Sequence, residues 1–316
     1  MNPDRIERIL NSGCRAVLVT TGGGSSAPNA LLTTPGASRF VVEVHTPYSP
    51  EALEQFLGEK QEHSVSPATA QKLAAQAFDQ SVQCRTPDTE YHPVGIACTA
   101  ALQTDRERRG DDRAFICIKT AGAKKLYALH FSKTSRAEQE ELLSDWLLVL
   151  IAQATGAERG LMMPGSFNPV HQGHLNLLKV AEEMTGLRGV FELSCANVDK
   201  PALEETDCLC RTATIKDIPV AITHAPRFIR KAELYPKTTF AVGFDTAIRF
   251  IRDYTSDDWK KFRTLETRFL VAGRRCGGVF QTLENLNLPE GFETLFEAIP
   301  ESKFREDISS TELRCS

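Results

Sequence analysis

Short apolar runs alternate with stretches of helical periodicity along most of the chain. Ala16-Val17-Leu18-Val19 and Phe40-Val41-Val42-Glu43-Val44 are brief, β-branched and strand-like. Ala68 to Gln80 spaces its alanines as an amphipathic helix does, and Phe115-Ile116-Cys117-Ile118 with Leu126-Tyr127-Ala128-Leu129-His130 predicts a hairpin. Glu138 to Ile151 is a strongly apolar helix. The small residues of Gln153-Ala154-Thr155-Gly156-Ala157 then mark a helix end or linker before a second domain. Beyond it, Leu161-Met162-Met163, Val190-Phe191-Glu192-Leu193, Phe240-Ala241-Val242 and Phe269-Leu270-Val271-Ala272 read as strands, with a helix over Leu175 to Ala181. The alternation is that of an α/β protein with domains over 1–155 and 156–316.

At 316 residues the chain can bury two cores. A net charge of -4 gives no reason to expect nucleic acid or a membrane surface as partner, and no apolar run reaches the length of a membrane span. The N-terminus lacks the apolar centre of a secretory signal, and nine scattered cysteines imply a reducing compartment, so a cytoplasmic location is expected. Cys208-Leu209-Cys210 is too tightly spaced for a usual zinc hook, and no metal site is expected.

The chemistry concentrates in Gly165-Ser166-Phe167-Asn168-Pro169-Val170-His171-Gln172-Gly173-His174, between a strand and a helix. Two histidines three apart share one face of the first helical turn. Backbone N–H groups and the positive helix end suit an anion there, and imidazoles beside a phosphate can neutralise developing charge. Near the end of the sequence stands Ile308-Ser309-Ser310-Thr311-Glu312-Leu313-Arg314. Ser309 or Ser310 can cap a helix, and Arg314, a turn further on, can fork onto phosphate oxygens.

Together these two motifs resemble the HxGH and Ile-Ser-Ser-Thr-x-x-Arg motifs of the nucleotidylyltransferase superfamily. The Gly-Ser-Phe-Asn-Pro form is most similar to nicotinamide and nicotinate mononucleotide adenylyltransferases. The resemblance covers roughly residues 158 to 316. It implies a Rossmann-like parallel-sheet domain that transfers an adenylyl group from ATP, with Mg²⁺, to a mononucleotide such as nicotinamide mononucleotide, as in NAD biosynthesis or salvage. It implies catalytic roles for His171, His174, Lys200 and Arg314. Gly165, Ser166, Phe167, Gly173, Gly243, Asp245, Trp259, Arg274, Ser309, Ser310 and Thr311 are implied as nucleotide-binding. Within that set, Lys200 of Asn197-Val198-Asp199-Lys200-Pro201 is expected on phosphate, Asp245 of Gly243-Phe244-Asp245 on a ribose hydroxyl, and Trp259 on the pyridine ring or in the core. Arg274 is expected at the carboxyl end of a strand. The sequence ends two residues after Arg314, so a weak clamp, or one completed by another subunit, is expected. Phosphopantetheine adenylyltransferase shares both motifs. A non-catalytic nucleotide sensor or scaffold is the alternative from another class.

The first half resembles the nicotinamide-nucleotide amidase domain found at the C-terminus of competence-damage proteins. The matching stretches are Thr21-Gly22-Gly23, Pro35 to Phe40, Tyr48-Ser49-Pro50-Glu51-Ala52, Val65-Ser66 and Gly95-Ile96-Ala97. That family places a serine nucleophile where this chain has Val19, and an activating lysine where it has Leu53. Without nucleophile or activator the expectation is an inactive amidase-like domain, with Thr20, Thr21 or Ser25 as the only substitutes. Such a domain could retain nucleotide binding or hold a homo-oligomer together.

Overall fold

The computed structural model describes residues 1–86, 90–106, 110–196, 203–276 and 279–305. It divides into two compact units, one of residues 1–158 with 215–221, the other of 159–214 with 222–316.

The first unit begins with α1 (Pro3–Leu10), whose N-terminus Asn2 caps by accepting from the Asp4 and Arg5 amides. Next come β1 (Cys14–Thr21), α2 (Ser26–Leu32), β2 (Val41–His45), α3 (Pro50–Leu57), α4 (Pro67–Gln83), β3 (His92–Ala101), β4 (Arg113–Lys119), β5 (Lys124–His130) and α5 (Arg136–Ala154). The strands lie in the order β5-β4-β3-β1-β2. β1 runs parallel to β2 and β3, whereas β3, β4 and β5 are antiparallel, so the expected hairpin is present. A Cβ on Gly95 would lie 2.2 Å from the Ala74 carbonyl oxygen, so only glycine lets α4 press its backbone onto β3. α5 opens with a capping box between Ser135 and Glu138 and buries one continuous run from Trp146 to Ala152. Residues 215–221 join this unit through Asp217. Its carboxylate accepts from the Ser132 amide and hydroxyl, and its carbonyl accepts from the Trp146 indole at 2.9 Å.

The second unit contains β6 (Gly160–Pro164), α6 (Gln172–Thr185), β7 (Gly189–Ser194), α7 (Glu205–Ala213), the end of β8 (Val220–Thr223), α8 (Phe228–Leu234), β9 (Thr238–Gly243), α9 (Phe244–Asp253), α10 (Ser256–Thr264), β10 (Arg268–Ala272), a small β11 (Arg274–Cys276) and β12 (Val279–Gln281) pair, and β13 (Phe296–Ile299). Its sheet is ordered β13-β10-β9-β6-β7, and the four pairings along it are parallel. The first strand, β6, is therefore flanked by the second and by one that follows a reversal of strand order. Ligands of open parallel sheets bind beyond the carboxyl ends of the strands at that switch.

α9, α10 and the sheet enclose an aromatic core. Trp259, 2% exposed, lies 5.4 Å from Phe262, 5.5 Å from Phe296 and 5.7 Å from Tyr254, ring centre to ring centre, while Phe250 and Phe269 are 4.7 Å apart. Rings at these separations add attraction to their burial. Replacing Trp259 by alanine is expected to cost about 3–5 kcal/mol of stability. Urea unfolding would measure it, and a loss below about 1 kcal/mol would show that the ring is not integral to this core.

Candidate functional site

The loop from Gly165 to His171 joins β6 to α6, and three contacts shape it. The Gly165 amide donates to the Glu192 carbonyl at 2.9 Å, tying the loop to the end of β7. A Cβ on Gly165 would lie 2.6 Å from the Phe167 ring, so glycine lets that ring fold back on the chain. Phe167 itself adopts φ +42°, an uncommon backbone for a residue other than glycine. Its ring, 2% exposed, lies 4.8 Å from Phe191 and meets His174 edge-on at 5.2 Å. The Asn168–Pro169 peptide is cis.

His171 is the N-cap of α6 and His174 stands three residues on. The His171 amide donates to His174 Nδ1 at 3.2 Å, while the His174 amide donates to the His171 carbonyl at 2.9 Å. The two rings stack with centres 3.7 Å apart. With Nδ1 acting as acceptor, neutral His174 carries its proton on Nε2, which becomes its donor toward a ligand. Burial and then the neighbouring His171 push the His174 pKa down to about 4. The ring is therefore neutral at pH 7. α6 buries Gly173, Leu177, Leu178 and Ala181, so His174, three residues before Leu177, stands at the N-terminal end of that same inward face.

Two further strand ends share this edge of the sheet. Gly243 ends β9 and caps α9, with open space where a Cβ would stand. Asp245, in the first turn of α9, pairs with Arg274, which follows β10. In register, Gly243 lies opposite Ala272. Both members of the pair remain half-exposed.

In the first unit the Gly22–Gly24 turn after β1 is filled by the chain's own side chains. Glu140 accepts from the amides of Gly24, at 2.7 Å, and Ser26, at 3.0 Å, and from the Ser25 hydroxyl at 3.1 Å. Burial would raise its pKa, but these bonds and one from Ser144 outweigh that and hold it low. Arg136 spans the turn, donating to the carbonyls of Gly22 and Gln103 and to the Tyr48 hydroxyl. Val19 and Leu53 are core residues, 0% and 2% exposed. Thr20 is buried, and the Thr21 hydroxyl donates to the Pro47 carbonyl.

Residues 162–316 match the family described as cytidylyltransferase-like. The C-terminal half is a cytidylyltransferase-like domain. No curated protein matches the chain. Among solved structures, a competence-damaged protein (CinA) superfamily protein from Escherichia coli is 17% identical, with 48% of this chain and 90% of that one covered and a TM-score of 0.37. The competence/damage inducible protein CihA from Agrobacterium tumefaciens is 18% identical, with 48% and 96% covered and a TM-score of 0.40. A CinA-superfamily protein from Klebsiella pneumoniae is 13% identical, with 49% and 96% covered and a TM-score of 0.40.

Within the cytidylyltransferase-like domain, Gly165, Ser166, Phe167, His171, Gly173 and His174 form one loop and helix start, and Gly243, Asp245 and Arg274 lie at strand ends of the same sheet. Of the two readings of Trp259, the structure favours the core: aromatic neighbours enclose the ring and leave no face for a pyridine ring. Phe167, implied as nucleotide-binding, is instead buried beneath His174 as packing. Lys200, Ser309, Ser310, Thr311 and Arg314 lie outside the described residues. Among those described, no helix is long and apolar enough to cross a membrane.

The structure adds groups that the motifs did not single out. Arg211 of α7 donates to the Ser166 carbonyl at 3.0 Å. Cys195 and Cys208 are joined by a disulfide, a pairing that scattered spacing gave no sign of, while Cys210 is an exposed thiol. Glu192, Thr223 and Lys231 form a buried polar cluster. Its one sequence signal was a carboxylate inside the apolar run Val190 to Leu193.

The neutral state of His174 is measurable. A histidine with a folded pKa of about 4 against an ordinary 6.5 leaves the unfolded chain to bind the proton first. Its contribution to stability is thus present above the ordinary value and is lost as pH falls towards 4. Imidazole NMR should place the ligand-free pKa near 4 and show it rising by about one unit or more when pyrophosphate binds. Titration at the ordinary value, indifferent to pyrophosphate, would refute a phosphate-facing ring.

Proposed function

We propose that the second unit transfers an adenylyl group from ATP to a mononucleotide such as nicotinamide mononucleotide, releasing pyrophosphate. Membership of its domain in a cytidylyltransferase-like family supports nucleotidyl transfer in general. The observation that carries the reading is the stacked His171–His174 pair at the start of α6, on the carboxyl edge of a parallel sheet. The closeness of Gly165 to Pro169 to the nicotinamide mononucleotide form supports the acceptor.

The reaction needs no protein nucleophile. An acceptor phosphate oxygen attacks the α-phosphorus, the bond from that phosphorus to its bridging oxygen breaks, and the electron pair leaves on pyrophosphate. Catalysis is alignment and charge neutralisation. His174 Nε2–H and the free amides at the start of α6 would donate to phosphate oxygens. An anion beside His174 draws its pKa upward, which strengthens the Nε2–H donor where negative charge develops. Lys200 and Arg314 would add cationic contacts, Ser309 to Thr311 a helix-start cradle, and Asp245 would meet a ribose hydroxyl on leaving Arg274. The histidine pair offers nitrogen rather than the oxygen that Mg²⁺ prefers, so the ion fits as a passenger on the triphosphate.

Incubating the protein with Mg²⁺, ATP or CTP, and a panel of nicotinamide mononucleotide, nicotinate mononucleotide and phosphopantetheine, with pyrophosphate release as readout, tests the assignment. Release with none would favour a nucleotide sensor. His174→Ala is expected to lower turnover by about 10²–10³, the usual effect of losing one preorganised donor, with the fold intact by circular dichroism. Unchanged turnover would remove His174 from the mechanism.

For the first unit we propose no amidase activity. Its turn amides are taken by Glu140, whose depressed pKa makes a weak base for Ser25. The full-length chain is expected to release no ammonia from nicotinamide mononucleotide above background. Enzymatic release abolished by Ser25→Ala, Thr20→Ala or Thr21→Ala would make the protein bifunctional.

A further inference from the structure

Glu192 and Lys231 form an ion pair shut off from solvent. Their side chains are 1% and 6% exposed, and Lys231 Nζ donates to both carboxylate oxygens at 2.7 Å. The Thr223 hydroxyl donates to Glu192 Oε1 and also accepts from the Ala225 amide at 3.3 Å. Dehydrating two charges costs about as much as their attraction returns, and apolar residues of similar volume often serve stability as well. What three converging bonds supply, and an apolar contact does not, is a fixed direction for the residue that carries the carboxylate.

That residue holds the His171–His174 loop. Glu192 is opposite Pro164 in the β6–β7 register, and its carbonyl accepts from the Gly165 amide. Its neighbour Phe191 packs on Phe167, whose ring supports His174 edge-on. One chain of contacts thus runs from Lys231 and Thr223 through Glu192 and Phe191 to Gly165 and Phe167, and ends at His174. We propose that Glu192, locked by Lys231 and Thr223, is the positioning residue of this loop: it sets where the His174 ring stands without touching a ligand. The proposal rests on reading the loop as the phosphate site.

The test is deuterium exchange on the full-length chain, followed by mass spectrometry. In Glu192→Leu/Lys231→Met the cluster becomes apolar, and melting is expected near wild type. Peptides covering residues 165–171 should exchange about tenfold faster, with β9 unchanged. Turnover should fall by about tenfold or more with the KM for ATP little altered, because the histidines are misplaced rather than lost. Should the double variant fail to fold, Thr223→Val decides. It should speed exchange in 165–171 by about threefold, and Thr223→Ser should restore it. Wild-type exchange in those peptides, in a folded double variant or in Thr223→Val, overturns the proposal. The readout needs no substrate. If exchange responds as expected while wild type shows neither nucleotide binding nor transfer, the functional reading fails and the positioning role of Glu192 stands.

Discussion

The bond from the Gly165 amide to the Glu192 carbonyl decides where the histidine loop of the second unit lies. It fastens the end of β6 to the end of β7 at the point where the chain leaves the sheet. A loop so short has few conformations, and the ring of Phe167, folded against Gly165, removes most of the rest. His171 and His174 then follow from helix geometry: residues three apart at a helix start lie one above the other, and their reciprocal bonds hold them there.

Much of this was legible in the sequence. The apolar runs near residues 16–19, 161–163, 240–242 and 269–272 all became strands, because runs that short and apolar have few other ways to satisfy their backbone. The stacked histidines were legible because spacing alone puts them on one face. Trp259 was ambiguous: a tryptophan looks the same in sequence whether it stacks on a ligand or on Phe262 and Phe296, and packing decided it. Lys231 was invisible, since a lysine on a helix normally reaches solvent and only its facing carboxylate shows otherwise. Arg211 and the Cys195–Cys208 bond depend on how α7 folds back, which no local pattern encodes.

In the first unit the glycine turn after β1 is occupied from within. Val19 and Leu53 are core residues. The amides of Gly24 and Ser26 find their partner in Glu140. Without that carboxylate the turn would carry unpaired N–H groups, and an internal acceptor removes that cost.

Residues 215–221 bear on how the protein is made. The Trp146 indole and the Ser132 amide and hydroxyl all find their acceptors on Asp217, in a segment that follows more than fifty residues of the other unit. On a ribosome, the first unit cannot close its own hydrogen bonds when its contiguous residues have emerged. It must wait until β6, α6, β7 and α7 have also left the tunnel. Synthesis order and folding order therefore differ, and a cut at the apparent linker would separate one unit from a piece of itself.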